Sequence, residues 1–360
     1  MNCTFKNSLS VRGLLQGQGG SGSGENMWFI SAKVQRLAAV DQAAFLFVIE
    51  NAQGTIELFD SVVEDCLSAS SLISLTFGHM TVDGTSFLGN YAELGANGIS
   101  MLYSAATIRN SIIDNQRNNV KVTNATMQAI DAGFISMNYQ SQIRFDNVTV
   151  RGLVGDSSSV ISAHGRSSVE IADSTFSNNT ATSGSCIDAR APPSFTLSGS
   201  TLAQSGGVVI KGMAAGANFT ISGSQIFPTK AIPGITIVNS TGTVTNTTFA
   251  STHTHNATLG LGVPGNTDQT NSGLLISGRT SDVTIANCSF NNLTSTIGAG
   301  VQVTSASKIS IVNSTFFNNT APIGAGVALT SVNISMLTTN NFANNSAVKI
   351  DGKPIDMVAD

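Results

Sequence analysis

The sequence predicts an all-β solenoid of short strands, three per coil, wound along nearly all of its 360 residues. Two observations carry this. Eleven positions hold Asn, Asp or Gly three residues before a large apolar residue: Asn2, Asp60, Gly84, Asn110, Asn147, Asp173, Gly199, Gly223, Asn246, Asn287 and Asn313. Several successive intervals are 26 residues and others 23 or 24. Gly, Asn and Asp enter the left-handed backbone region most readily, so this column marks one tight bend per repeat. The second observation is period-two alternation. Val301 and Val303 flank Gln302, then Ile309 and Ile311 flank Ser310, and after the bend at Asn313 comes Phe316. Three alternating runs joined by polar links make three strands per coil.

The elements follow in the same phase along the chain. Ile161/Ala163 with Val169/Ile171, and Ile187/Ala189 with Phe195/Leu197, repeat the first and second strands. Third-strand positions number about thirteen, from Phe5 to Phe342, with Val40 assigned in phase with Val63. Residues 33–45 are the one stretch with helical character, and that phase assigns them to the solenoid too. Capped 3.6-residue periodicity is absent elsewhere. The phase runs unbroken, so residues 1–360 are expected to form one domain, with loop insertions near 16–26, 114–132, 151–159 and 250–272. Insertions after the third strand should line one edge of the solenoid.

Three strands per coil, an Asn-rich second bend and 22–26 residues per coil resemble the right-handed parallel β-helix of the pectate-lyase-like superfamily, over nearly the whole chain. The resemblance implies an internal hydrogen-bonded ladder at that bend, formed by Asn110, Asn147, Asp173, Asn246, Asn287 and Asn313 pointing inward. Residues 176–187 (FSNNTATSGSCI) and 317–327 (FNNTAPIGAGV) also resemble the repeats of polymorphic outer-membrane-protein-like adhesins.

Composition narrows the function classes. Charged residues are 11% of the chain and the net charge is −4, with no basic stripe of the kind nucleic acid requires. No apolar run approaches the ~20 residues that span a bilayer. Fourteen N-x-S/T sequons on an Asn/Ser/Thr-rich chain point to an extracellular glycoprotein, secreted or at the cell surface, although Met1 opens no signal peptide. Asn178, Asn292, Asn318 and Asn344 start the loop after the third strand and are the preferred glycan sites. Asn124, Asn218, Asn239, Asn256 and Asn333 fall on loops or first-turn positions. An inward ladder would leave Asn147, Asn246, Asn287 and Asn313 unmodified. Cys3, Cys66, Cys186 and Cys288 lie too many coils apart to pair within the chain, and Cys3 shares an outward column with Cys288.

Catalytic candidates are sparse. Polysaccharide hydrolysis needs paired carboxylates, and lyase chemistry needs a base beside charge-neutralising groups. The best cluster is His164, Arg166, Asp188, Arg190 and Lys211 on outward positions of consecutive coils, with one carboxylate in place of a pair. Asn266-Thr267-Asp268 echoes a polygalacturonase motif but lacks its Asp pair and its later His and Arg/Lys elements. His253 and His255 are a bare pair without further metal ligands. Gly17–Gly24 lacks the Lys-Ser/Thr of a phosphate loop. No cofactor or metal site is expected. At the ends, Phe5 opens the chain on a third strand, while Ile350, Ile355 and Met357 close it on first and second strands. Uncapped rungs in that phase would stack head to tail. The sequence therefore predicts a non-enzymatic extracellular structural or adhesive glycoprotein, self-associating into a β-helical fibre. The alternative is a carbohydrate-active enzyme or glycan-binding module.

Overall fold

The computed structural model is a parallel β-solenoid with three sheets and no helix among the described residues. Outside the description lie 1–3, 7–8, 11–12, 19–25, 31, 36–37, 40–44, 51–53, 69–70, 93–97, 115, 119–132, 156–157, 182–183, 229–231, 252–271, 333–334 and 348–360, and of the strands before 54 mainly the backbone is described. The chain divides into two compact units, Met1–Phe195 and Thr196–Asp360.

In the first unit the first-strand sheet includes Ile73–Thr76, Ile99–Leu102, Ile135–Asn138, Ser158–Ala163 and Ser185–Arg190, stacked in that order. The second unit stacks Val208–Lys211, Ile235–Val238, Leu274–Ser277, Val301–Thr304 and Val327–Thr330 in the same way. Burial alternates along each strand, as in Ile99–Leu102 and Leu274–Ser277, because alternate side chains point into the coil. The solenoid makes about 9 turns, against about thirteen expected.

The third-strand column forms the core. Val63, Phe87, Ile113, Val150 and Phe176 follow one another in register in the first unit. In the second, Phe249, Phe290, Phe316 and Phe342 stack with ring centroids 4.8, 4.8 and 4.7 Å apart and planes within 6°. That spacing is the inter-strand distance, so one aromatic per coil makes a continuous column. One assignment is corrected: Val34, in strand Lys33–Gln35, pairs with Val63, and Val40 lies outside the described residues.

The bend column adopts the left-handed conformation, with φ of 47° at Asn110, 54° at Asn147, 48° at Asp173, 49° at Asn246, 55° at Asn287 and 48° at Asn313. Its side chains, however, are exposed rather than inward. Asn147 Nδ2 donates to Asn110 Oδ1 at 2.9 Å, and Asn313 Nδ2 to Asn287 Oδ1 at 2.7 Å, on the outside of the coil. The inward position belongs to the next residue. Ser61 N donates to Thr85 Oγ1, Thr85 N to Ser111 Oγ, Val148 N to Ser174 Oγ and Cys288 N to Ser314 Oγ, all at 3.1–3.3 Å. A small hydroxyl fits where the chain turns into the core and satisfies an amide no strand can reach.

A second internal ladder closes the turn after the third strand. Asn319 Oδ1 accepts from Leu293 N at 3.0 Å while its Nδ2 donates to Phe290 O at 2.9 Å. Asn179 and Asn90 make the same pair of bonds, to Leu153 N and Val150 O and to Cys66 N and Val63 O. Cys66, Cys186 and Cys288 are buried. Cys288 occupies the inward ladder rather than an outward column, its Sγ 3.4 Å from the carbonyls of Val244 and Ala286.

Candidate functional site

The outer face of the first-strand sheet in the first unit carries the polar cluster. Ser136, Ser162 and Asp188 are register partners on three successive strands, alternating with inward Ile161, Ala163, Ile187 and Ala189. Their outward positions are nonetheless buried: Ser162 is 0% and Asp188 6% exposed. The pairing shifts register between Ser158 and Ile161, an irregularity that re-aims side chains locally. Ser158 Oγ turns back to Ile161 O at 2.7 Å, anchoring that irregularity.

Asp188 is the centre of the cluster. Arg190, two residues on and therefore on the same face, places Nε at 3.0 Å and Nη2 at 2.7 Å from Asp188 Oδ2. Both bonds fall on one carboxylate oxygen. The other, Oδ1, is buried without a hydrogen-bond partner, as is Ser159 Oγ. Leaving such groups unpaired costs about 1–3 kcal/mol each, and an ordered water is the ordinary partner at a buried polar position of this kind. His164 lies one rung back, its Nε2 2.9 Å from Ser162 Oγ. Its backbone is fixed by His164 N to Met137 O at 2.9 Å and by Ser167 Oγ donating to His164 O at 2.6 Å. Ser162 is fully buried and does not serve as a nucleophile. Arg166 is exposed beside this cluster, and Lys211, exposed, lies in the second unit.

Sequence reading missed the aromatic ladder at the edge of the same face. Phe77, Tyr103 and Tyr139 each follow the last residue of a first strand. Ring centroids are 5.0 Å apart at 3° between Phe77 and Tyr103, and 5.5 Å at 24° between Tyr103 and Tyr139. The three are 46%, 43% and 56% exposed. All hold positive φ, 56°, 50° and 50°, a conformation that costs a side-chain-bearing residue roughly 1–2 kcal/mol. The signal was in the sequence as Thr76-Phe77, Leu102-Tyr103 and Asn138-Tyr139, one aromatic per repeat in a turn column.

Among the described residues no three His, Cys, Asp or Glu side chains come together as a metal site. Of the expected glycan sites, Asn178, Asn218, Asn239, Asn292, Asn318 and Asn344 are exposed. Asn124, Asn256 and Asn333, the motif at 266–268, the pair His253/His255 and the end residues Ile350, Ile355 and Met357 lie outside the described residues, as does the side chain of Phe5.

No family model matches the chain, and no curated protein sequence does. Solved structures do. The A-module of mannuronan C-5 epimerase AlgE4 from Azotobacter vinelandii is 10% identical, with 89% of this chain and 88% of that chain covered and a TM-score of 0.45. A mannuronic acid-specific polysaccharide family 6 lyase from human gut microbiota is 11% identical over 93% and 82% of the two chains, with a TM-score of 0.30. The catalytic domain of a GH87 α-1,3-glucanase, in complex with nigerose, is 12% identical over 90% and 62%, with a TM-score of 0.39. The likeness is one of fold, the parallel β-helix of pectate-lyase-like enzymes. Each of these neighbours is named for a carbohydrate-active enzyme, at odds with the expected non-enzymatic fibre subunit, although at these identities the likeness itself extends to the fold alone. None of them is an adhesin.

Proposed function

We propose that the chain is a carbohydrate-active β-helix protein that takes a polysaccharide across the outer face of the first-strand sheet in its first unit. The observation that carries this reading is Asp188: nine-tenths buried, with Arg190 held on one oxygen and the other oxygen unpaired. That oxygen is covered from solvent, so the pair meets a sugar through Arg190. Arg190, 45% exposed, presents the rest of its guanidinium outward, where it can donate to a sugar oxygen or carboxylate. His164, tethered to Ser162, is the imidazole at the site and the candidate for general acid–base work there.

The residue set favours proton transfer at a sugar carbon or hydroxyl over two-carboxylate glycoside hydrolysis, because among the described residues of the cluster Asp188 is the one carboxylate beside a base. In this reading Asp188 and Arg190 orient the sugar and His164 exchanges the proton. The same lone carboxylate favours, as a second reading, a glycan-binding module without turnover.

An extracellular, glycan-bearing protein fits this role, supported by the exposure of Asn178, Asn292, Asn318 and Asn344 at left-handed bends. Incubating the purified protein with alginate, polygalacturonate and α-1,3-glucan, and following products by chromatography and proton NMR, tests the enzymatic reading. Conversion lost in His164→Ala supports it. Binding without conversion supports the module, and neither binding nor conversion on any polymer removes both.

A further inference from the structure

Tyr139 ends the aromatic file, and the next rung is occupied by glycine. A Cβ built on Gly165 would stand 2.8 Å from Tyr139 N, so the two turns are in direct backbone contact. Gly165 O also accepts from Gln140 N at 2.9 Å. Phe77 and Tyr103 are covered on one face by the following ring, but no described ring covers the face of Tyr139 that looks toward Gly165. One coil pitch beyond Tyr139, therefore, the column holds a glycine in place of a fourth ring, bordered by His164 and exposed Arg166 and followed one rung later by Asp188 and Arg190.

We propose that this position is a sugar-stacking subsite: a pyranose ring of a polysaccharide lays its C–H face on Tyr139 above Gly165. The proposal rests on the polysaccharide reading above and deepens it. A rigid apolar surface with a polar rim is what a pyranose, apolar on its faces and hydroxylated around its edge, complements. Ring spacings of 5.0 and 5.5 Å show that a planar group fits one rung of this column. Arg166 supplies the cation for an edge oxygen, and the next sugar along the axis reaches the exposed guanidinium of Arg190, which Asp188 holds in place. A protein partner fits less well, because the file turns ring edges outward and leaves one small face open.

Three rings held at positive φ explain what the cluster alone does not. At the matching turns of the second unit the chain uses Gly212, Asn239, Gly278, Ser305 and Ser331, all small residues at positive φ and none aromatic. Keeping Phe, Tyr and Tyr at strained turns is consistent with a use for the rings themselves.

The test titrates the full chain with hexamers of mannuronate, galacturonate and α-1,3-linked glucose by calorimetry, separating acidic from neutral sugars. Tyr139→Phe should bind like the original chain. Tyr139→Asn, matching Asn239, should bind at least tenfold more weakly with an unchanged melting temperature. Phe77→Ala, two rungs away, should change affinity less than threefold. Tyr139→Asn binding within twofold of the original, while Asp188→Asn loses binding, overturns the subsite and leaves the polysaccharide reading standing. Loss in Tyr139→Asn with Asp188→Asn unaffected keeps the subsite and moves the polar centre elsewhere. No binding of any hexamer, or concentration-dependent self-association abolished by Tyr139→Asn, overturns the subsite.

Discussion

Asn313 Nδ2 donates to Asn287 Oδ1 across 2.7 Å on the outside of the solenoid, while six residues later Asn319 makes its bonds inside. The two amides look alike in sequence and differ in what they support. Asn313 links two exposed side chains. Asn319 bonds the buried N–H of Leu293 and the C=O of Phe290 at the turn.

Replacing each with Ala should separate these roles. Asn319→Ala strands Leu293 N and Phe290 O in the core and should destabilise the second unit by about 2–4 kcal/mol. Asn313→Ala loses an exposed bond and places Ala at φ 48°, costing about 1–2 kcal/mol. Denaturant unfolding of both variants measures the difference. Equal losses would mean the outer and inner ladders carry equal weight.

Gly165 gives a sharper steric prediction. Its φ is +61° and a Cβ would meet Tyr139 N at 2.8 Å. Gly165→Ala should therefore lower stability by about 1–3 kcal/mol and disturb the turn beneath Tyr139. Gly212 has the same sign of φ (+67°) but nothing within 4 Å. Gly212→Ala should cost about 1 kcal/mol, and thermal melts of the pair isolate the contact from the backbone term.

Burial pushes the Cys288 thiol up to about 11 from an ordinary 9.0, against smaller opposing bonds from backbone groups. Because the folded value is the higher one, its contribution to stability is complete below pH 9 and is lost as pH rises toward 11. The loss amounts to about 2–3 kcal/mol. Unfolding free energies of the original chain and Cys288→Ser between pH 8 and 11 should show a decline specific to the cysteine. Slow alkylation of Cys288 at pH 8 in the folded chain is the companion result, since the reactive species is the thiolate.

Secreted eukaryotic expression checks the glycoprotein proposal. Exposure predicts glycans at Asn178, Asn292, Asn318 and Asn344, and it removes the reason for excluding Asn287 and Asn313. Glycopeptide mass spectrometry that finds every one of these bare would count against an extracellular, glycan-bearing chain.

The solenoid was legible because a repeat states its rule many times. The spacing from Asn287 to Phe290 recurs at Asn313 to Phe316, and one such pair fixes the next in register. Misphasing arises where the signal thins: Val40 reads in phase with Val63, whereas the register partner of Val63 is Val34. The facing of the bend was not legible, since a left-handed Asn has the same sequence signature whether its amide points in or out. Reading the small residue after it, Ser61, Thr85, Ser111, Ser174 or Ser314, as the inward partner would have resolved it. The site was half visible. His164, Asp188 and Arg190 could be grouped by coil phase, but the burial of Asp188 depends on how neighbouring strands pack. The aromatic file escaped notice because its rings fall in a turn column, outside the alternation that marks strands.

The most direct test of the account is the affinity of the full chain for a polysaccharide it binds, compared with Asp188→Asn, with far-UV circular dichroism confirming the β-fold. Asparagine keeps the shape, removes the charge that holds Arg190 and replaces an acceptor with a donor. Binding or turnover reduced at least tenfold in a folded variant is the predicted result. Affinity and turnover unchanged in Asp188→Asn would contradict the placement of the polysaccharide on this face.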